Sequence, residues 1–118
     1  MDMEQANTFA DDWIKSWNSH DIDAILSHYT EDFEMSSPVI VDSMNEPSGQ
    51  LKGKAAVREY WLKALTKYPN LLFTKRHVML GVNSITIIYD GVRGLSAEVF
   101  HFDASGHVYA AFAHYGNE

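Results

Sequence analysis

No cysteine occurs among the 118 residues. That absence removes disulfide scaffolds, thiolate metal sites and cysteine nucleophiles together. Basic residues are scarce too: 9 Lys and Arg stand against 16 Asp and Glu, a formal charge of −7 with histidine neutral. Nucleic acid and anionic membrane surfaces both call for a basic footprint, so neither is an expected partner. No apolar run in the sequence approaches the roughly 18–20 residues that a membrane span needs. The stretch Met1 to Ala10 is acidic and polar, unlike the basic-then-apolar start of a secretion signal. A cytoplasmic location is the resulting expectation. What the chain does have is a hydrophobic content of 46% at a length that suits one core, so a single domain over residues 1–118 is expected.

Apolar spacing sets the order of elements. Ala6, Phe9, Ala10, Trp13, Ile14 and Trp17 recur at three- and four-residue steps, which predicts a first helix with one wide apolar stripe. Asn18-Ser19-His20 breaks it, and Asp21 is placed to cap a short second helix whose buried side is Ile22, Ile25, Leu26 and Tyr29. Phe33 and Met35 predict a brief strand before Pro38. Val41 to Gly53 reads as one long loop, and loops of about a dozen residues in compact domains are often functional. A third helix starts near Gly53, buries Val57, Tyr60, Trp61, Ala64, Leu65 and Tyr68, and ends before Pro69. Four strands follow, Leu71 to Leu80, Ser84 to Tyr89, Leu95 to Phe102 and Val108 to Tyr115, joined by segments of turn chemistry. Helices first and an antiparallel meander afterwards is an α+β pattern, with the helices on one face of a curved sheet.

These residues, in this order, resemble a known family. Trp13, Trp17-Asn18, Asp21-Ile22-Asp23-Ala24-Ile25, Tyr29, Glu31-Asp32-Phe33 and Ser37-Pro38 are similar to the opening of SnoaL-like proteins of the nuclear transport factor 2-like superfamily. Gly53-Lys54-Ala55-Ala56-Val57-Arg58-Glu59-Tyr60 looks like the family's helix start, and Phe100-His101-Phe102-Asp103 through Gly106-His107-Val108 like its final hairpin. The resemblance spans essentially the whole chain. It implies a cone-shaped, cystatin-like α+β barrel, with a mixed or antiparallel sheet wrapped around three helices. It implies dimers as well. It does not choose a function, because the superfamily holds steroid isomerases, polyketide cyclases, dehydratases, epoxide hydrolases and transport adaptors.

In such a fold the concave sheet face lines a pocket, and alternation sorts the residues that reach it. Glu98, Phe100 and Phe102 fall on one face of their strand, and Val99 and His101 on the other. The face with two phenylalanines is expected to be the buried one, which puts Glu98 in an apolar, concave setting. Burial raises a carboxyl's pKa, the condition for a general acid or hydrogen-bond donor at neutral pH. The competing reading leaves Glu98 near a rim, solvated or paired with Arg93, Arg76 or Lys75. Comparison with the steroid-isomerase branch implies that Glu98 falls where that branch keeps a protonated aspartic acid in its oxyanion hole. The branch's tyrosine donor aligns with Trp13, and its aspartate base with Ser37. Serine takes no proton from carbon without a base beside it, so isomerisation by that route is not expected.

Trp13, Trp17, Tyr29, Phe33, Tyr60, Trp61, Tyr89 and Tyr115 fall on predicted inner faces, mostly as core. Several such rings near a carboxyl nevertheless suit a flat apolar molecule with one or two polar groups. With Phe100, Phe102 and the small residues Ala111 and Ala113, they are the candidate ligand-binding set. Of the six histidines, His20, His28 and His107 read as turn, polar helix face and hairpin, and His77, His101 and His114 lie in strands. Their spacings match no metal motif, so neither metal nor organic cofactor is expected. If the alanine face is concave, His114 points outward. The combined expectation is a small-molecule pocket protein. If it is an enzyme, it isomerises, cyclises or dehydrates an apolar carbonyl compound, with Glu98 as acid or oxyanion donor and Ser37 and Tyr29 as orienting hydroxyls. The alternative is a non-catalytic ligand-binding or dimeric interaction module. Apolar residues on both alternating sets of the late strands also predict a homodimer through the convex sheet face.

Overall fold

In the computed structural model, which describes residues 1–116, helix α1 (Met3–Asn18) buries Ala6, Ala10, Trp13 and Trp17 of its apolar stripe. Asp2 and Gln5 close a reciprocal capping box at its start. Asp21 caps α2 (Ile22–Leu26) by accepting from the amides of Asp23 and Ala24, as its position predicted. Strand β1 (Tyr29–Ser36) follows, so Tyr29 begins a strand rather than ending a helix.

The expected loop from Val41 to Gly53 is more ordered than its composition suggested. Ser37 caps a short helix α3 (Pro38–Ser43) with Pro38 at its first position, where a missing amide hydrogen costs nothing. Strand β2 (Gln50–Lys52) then pairs with the end of β1. Gly53, at φ +90°, turns the chain into α4 (Lys54–Lys67) while its amide donates to the Phe33 carbonyl at 2.7 Å. There are thus four helices among the described residues, not three.

Strands β3 (Thr74–Gly81), β4 (Ser84–Gly91), β5 (Gly94–Phe102) and β6 (Val108–Tyr115) form the expected antiparallel meander. Leu71 to Phe73 lie outside β3, which starts three residues later than predicted. The sheet order is β2-β1-β6-β5-β4-β3, with β1 and β6 parallel. That single parallel pairing makes the sheet mixed and carries the N-terminal half across the last strand. The sheet curves but does not close, and β2 and β3 are its edges. Its concave face holds the core under the helices. Among the described residues no helix is long and apolar enough to cross a membrane.

Candidate functional site

β5 supplies the floor of the site, and alternation along it holds. Ser96, Glu98, Phe100 and Phe102 are buried, while Ala97, Val99 and His101 face the convex side half-exposed. Glu98 is only 4% exposed. Its cross-strand neighbours are Ile87 on β4 and Ala113 on β6, and the adjacent inward row is Tyr89, Ser96 and Tyr115. A small serine between two tyrosines, and a small alanine beside the carboxyl, keep this stretch of sheet from being filled by its own side chains. The Tyr89 hydroxyl donates to Glu98 Oε1 at 3.3 Å. Burial pushes the Glu98 carboxyl up to about 8, opposed by that hydrogen bond. At pH 7 the protonated form of such a group predominates.

The cations that could have held Glu98 as a carboxylate are engaged elsewhere. Lys75 pairs with Asp11, and Arg76 Nε donates to Asp90 Oδ2 at 2.7 Å. The Arg93 guanidinium lies 5.5 Å from the centre of the Tyr115 ring. The salt-bridged reading of Glu98 is therefore not the one the fold adopts.

A cavity of about 150 Å³ is lined by Glu98, Trp13, Trp17, Tyr60, Trp61, Tyr89 and Tyr115, all of them expected site residues. The other expected residues do not line it. Tyr29 is fully enclosed, its hydroxyl accepting from Trp13 Nε1 at 3.0 Å and its ring against Phe33 (4.4 Å between centroids) and Trp61 (5.2 Å). Burial and the nearby Glu98 hold its phenol well above the usual value, so it stays neutral. Phe33, Ala111 and Ala113 are buried without reaching the cavity, and Phe100 and Phe102 pack edge-on against Phe9. Ser37 also lies outside the lining. Besides capping α3, its hydroxyl accepts from Tyr60 at 3.4 Å and bonds Tyr115, so it positions two phenols that do reach the cavity.

The histidines lie away from this space. His114 is exposed on the convex side, as alternation implied, and His77 is exposed on β3. His101 packs against Phe112 at 5.5 Å. His28 is half-buried rather than on a polar face: its ring meets Phe9 at 5.4 Å, and burial lowers its pKa. Among the described residues no cluster of three His, Asp or Glu side chains is placed to hold a metal ion.

The remaining wall was not read from the sequence. Leu71 and Phe73, counted there as strand, enter the lining because the end of α1 holds their backbone. The Phe73 amide donates to Asn18 Oδ1 at 2.7 Å, and Asn18 Nδ2 donates back to the Phe73 carbonyl at 3.0 Å. His20 Nε2 donates to the Leu71 carbonyl at 2.9 Å. Phe73 then stacks on Trp13 at 5.6 Å and meets Tyr89 at 4.8 Å. Lys63, Lys67 and Arg93 line the cavity as well, and all three are exposed, which sets them at its mouth. The charges of Lys63 and Lys67 gave no local sign of this position, since α4 reads as an ordinary solvated helix face there. Arg93 was expected near Glu98 only as a rim partner for a charged carboxylate.

A SnoaL-like domain model matches residues 10–112. The chain belongs to the SnoaL-like family. Across 95% of its length it superimposes, at a TM-score of 0.92 and 50% identity, on 94% of a SnoaL-like protein of unknown function from Burkholderia thailandensis. It also shares its fold with SalBIII, an epoxide hydrolase/cyclase-like enzyme of pyran ring formation in the polyether salinomycin (TM-score 0.77, 19% identity, 98% of this chain and 93% of that one). A Kribbella flavida protein provisionally designated a ketosteroid isomerase is a further neighbour, at TM-score 0.73 and 14% identity over 98% of this chain and 80% of that one. No protein of curated function matches the chain. Family membership accounts for the SnoaL-like cone of sheet and helices, and it leaves the chemistry to the residues in the cavity.

Proposed function

We propose that this SnoaL-like protein is a cofactor-independent enzyme that binds a small apolar carbonyl or related oxygen compound and assists its reaction by proton donation from Glu98. The observation that carries the reading is a buried carboxyl, bonded to Tyr89, at the wall of an aromatic cavity, where burial raises its pKa and favours the protonated form. A neutral acid in a water-poor site can donate to a developing oxyanion or a leaving oxygen without first being recharged. Trp13, Trp17 and Trp61 supply flat apolar walls for the ligand body. The lining holds no second carboxyl and no histidine among the described residues. Within the isomerase, cyclase and dehydratase class, that favours acid-assisted ring closure or loss of water over a two-group proton shuttle.

The test is turnover of one-ring and two-ring hydroxy ketones and epoxy alcohols, followed by chromatography, in wild type, Glu98→Gln and Glu98→Ala. Product from wild type that falls at least about tenfold in both variants supports the proposal. The missing base also favours a second reading, a non-catalytic binding module of the same fold. Binding without turnover, equal in wild type and Glu98→Gln, would select it.

We also propose that the convex face of β3–β6 pairs two copies. Support comes from a band of Met79, Ile88, Val99 and Phe112, which the helices on the opposite face leave uncovered.

A further inference from the structure

The charges around the cavity run against those of the chain. The protein as a whole carries −7. Yet three of its 9 Lys and Arg residues line this one space, and among the described residues Glu98 is the only Asp or Glu that does. Lys63 Nζ donates to the Ser43 carbonyl at 3.3 Å, reaching from α4 to the end of α3. Lys67 lies 5.5 Å from the centre of the Tyr68 ring, and Arg93 lies across Tyr115. These contacts hold three cations around the opening. One lysine in the last turn of α4 is what the helix dipole favours. A second one four residues earlier adds like-charge repulsion. Neither Lys63 nor Lys67 has a carboxylate partner among the described residues. Opposite them, the deep end of the cavity is aromatic and ends at Glu98, whose burial disfavours the charged form.

We propose that the natural ligand is an amphiphilic carboxylate, with an apolar body of about one ring in the aromatic cavity, a hydroxyl or carbonyl oxygen toward Glu98, and its carboxylate at the mouth among Lys63, Lys67 and Arg93. The proposal deepens the reading of this cavity as the ligand site and rests on it. A cavity of about 150 Å³ sets the size of the buried part, since comparable apolar cavities take up a benzene-sized molecule. The carboxylate stays in the wet mouth, where ion pairing gives orientation and on-rate at little desolvation cost. The ligand is thereby held in one direction, oxygen inward and acid outward.

The test compares para-hydroxyphenylpropanoate with its uncharged primary amide. All three tryptophans of the chain line the cavity, so intrinsic fluorescence reports binding of either compound directly. The expected result is that the acid binds about tenfold more tightly than the amide at low salt. That ratio should shrink as ionic strength rises from about 20 to about 300 mM. It should also collapse in a Lys63→Gln, Lys67→Gln double variant, with amide binding unchanged. Both positions are exposed, so thermal melting of the double variant should match wild type. Equal affinities for acid and amide in wild type, with both bound, would overturn the carboxylate proposal and leave the cavity reading standing. A ratio that survives both the double variant and high salt would overturn it too. If neither compound perturbs the tryptophans up to its solubility limit, the cavity reading falls with it.

Discussion

Asn18, the last residue of α1, clamps the backbone of Phe73 by two hydrogen bonds, accepting from its amide at 2.7 Å and donating to its carbonyl at 3.0 Å. The clamp spans 55 positions of sequence and fixes a segment with no sheet or helix ladder of its own. It sets Phe73 against Trp13, Trp17 and Tyr89, and so makes one side of the cavity. Asn18→Ala is expected to cost about 1–3 kcal/mol by stranding a part-buried amide and carbonyl. Ligand-induced change in tryptophan fluorescence should weaken as well. Asn18→Asp, which keeps the acceptor and loses the donor, should fall between. An Asn18→Ala melt identical to wild type would show that the segment is held by its side chains alone.

Glu98 should make stability depend on pH in a particular direction. Its folded pKa of about 8 lies above the ordinary 4.5, so the folded state binds the proton more tightly than the unfolded state does. The stabilisation is complete below about pH 4.5 and is lost progressively until pH rises past about 8. Integrated over that window the loss is on the order of 5 kcal/mol. Glu98→Gln cannot ionise, so it should match wild type near pH 5 and exceed it increasingly toward pH 9. Denaturant melts at several pH values check this. Parallel curves for the two proteins would place an ionised Glu98 in the fold.

An activity that depends on protonated Glu98 should fall as pH rises through about 8, because the donor is lost. The Tyr29, Tyr60, Tyr89 and Tyr115 phenols, all raised by burial, remain neutral throughout and add no limb of their own. The pH profile of turnover is the measurement, and one that rises through pH 8 would assign Glu98 the opposite role of base.

Trp13 is both wall and core. Its ring lies 5.3 Å from Phe100 and 5.2 Å from Tyr89, and its indole N–H donates to Tyr29. Trp13→Ala should cost about 3–5 kcal/mol, a large share of the roughly 5–15 kcal/mol of a small domain. Trp13→Phe keeps an aromatic ring but loses the donor and part of the ring volume, so a loss smaller than that of Trp13→Ala, on the order of 1–3 kcal/mol, is expected from thermal unfolding. An unchanged melting temperature in Trp13→Ala would make this residue pocket lining without a structural share.

Val99 and Phe112 are cross-strand neighbours on the convex face, with Thr86 next in the row. If that face pairs two copies, a Val99→Lys, Phe112→Lys variant should be monomeric by light scattering while keeping its circular dichroism spectrum. Wild type should have twice the monomer mass at micromolar concentration. A wild-type mass of one chain would remove the proposed dimer.

What the sequence determined by itself was most of what has a local period. Helical spacing put Trp13 and Trp17 on a buried stripe, and alternation put Glu98 with Phe100 and Phe102 on the inner face of β5. Side-chain direction in a helix or strand follows from backbone geometry alone, which is why those readings needed no partner. Cap chemistry at Asp21 and the helix start near Gly53 were local in the same way. Tertiary structure decided whatever depends on two distant segments meeting. The parallel pairing of β1 with β6 carries no signature in either strand. The partners of Lys75 and Arg76 were settled by which carboxylates the fold brought near, Asp11 and Asp90, leaving Glu98 unpaired with them. Leu71 and Phe73 look like strand residues, and Asn18 and His20 hold them out of the sheet. Lys63 and Lys67 read as solvated surface charge, and Arg93 as a candidate partner of Glu98, until α4 and the β4–β5 turn meet around one opening. A site built across elements gains its shape and its charge from packing, and packing is a property of pairs of surfaces that no single segment contains.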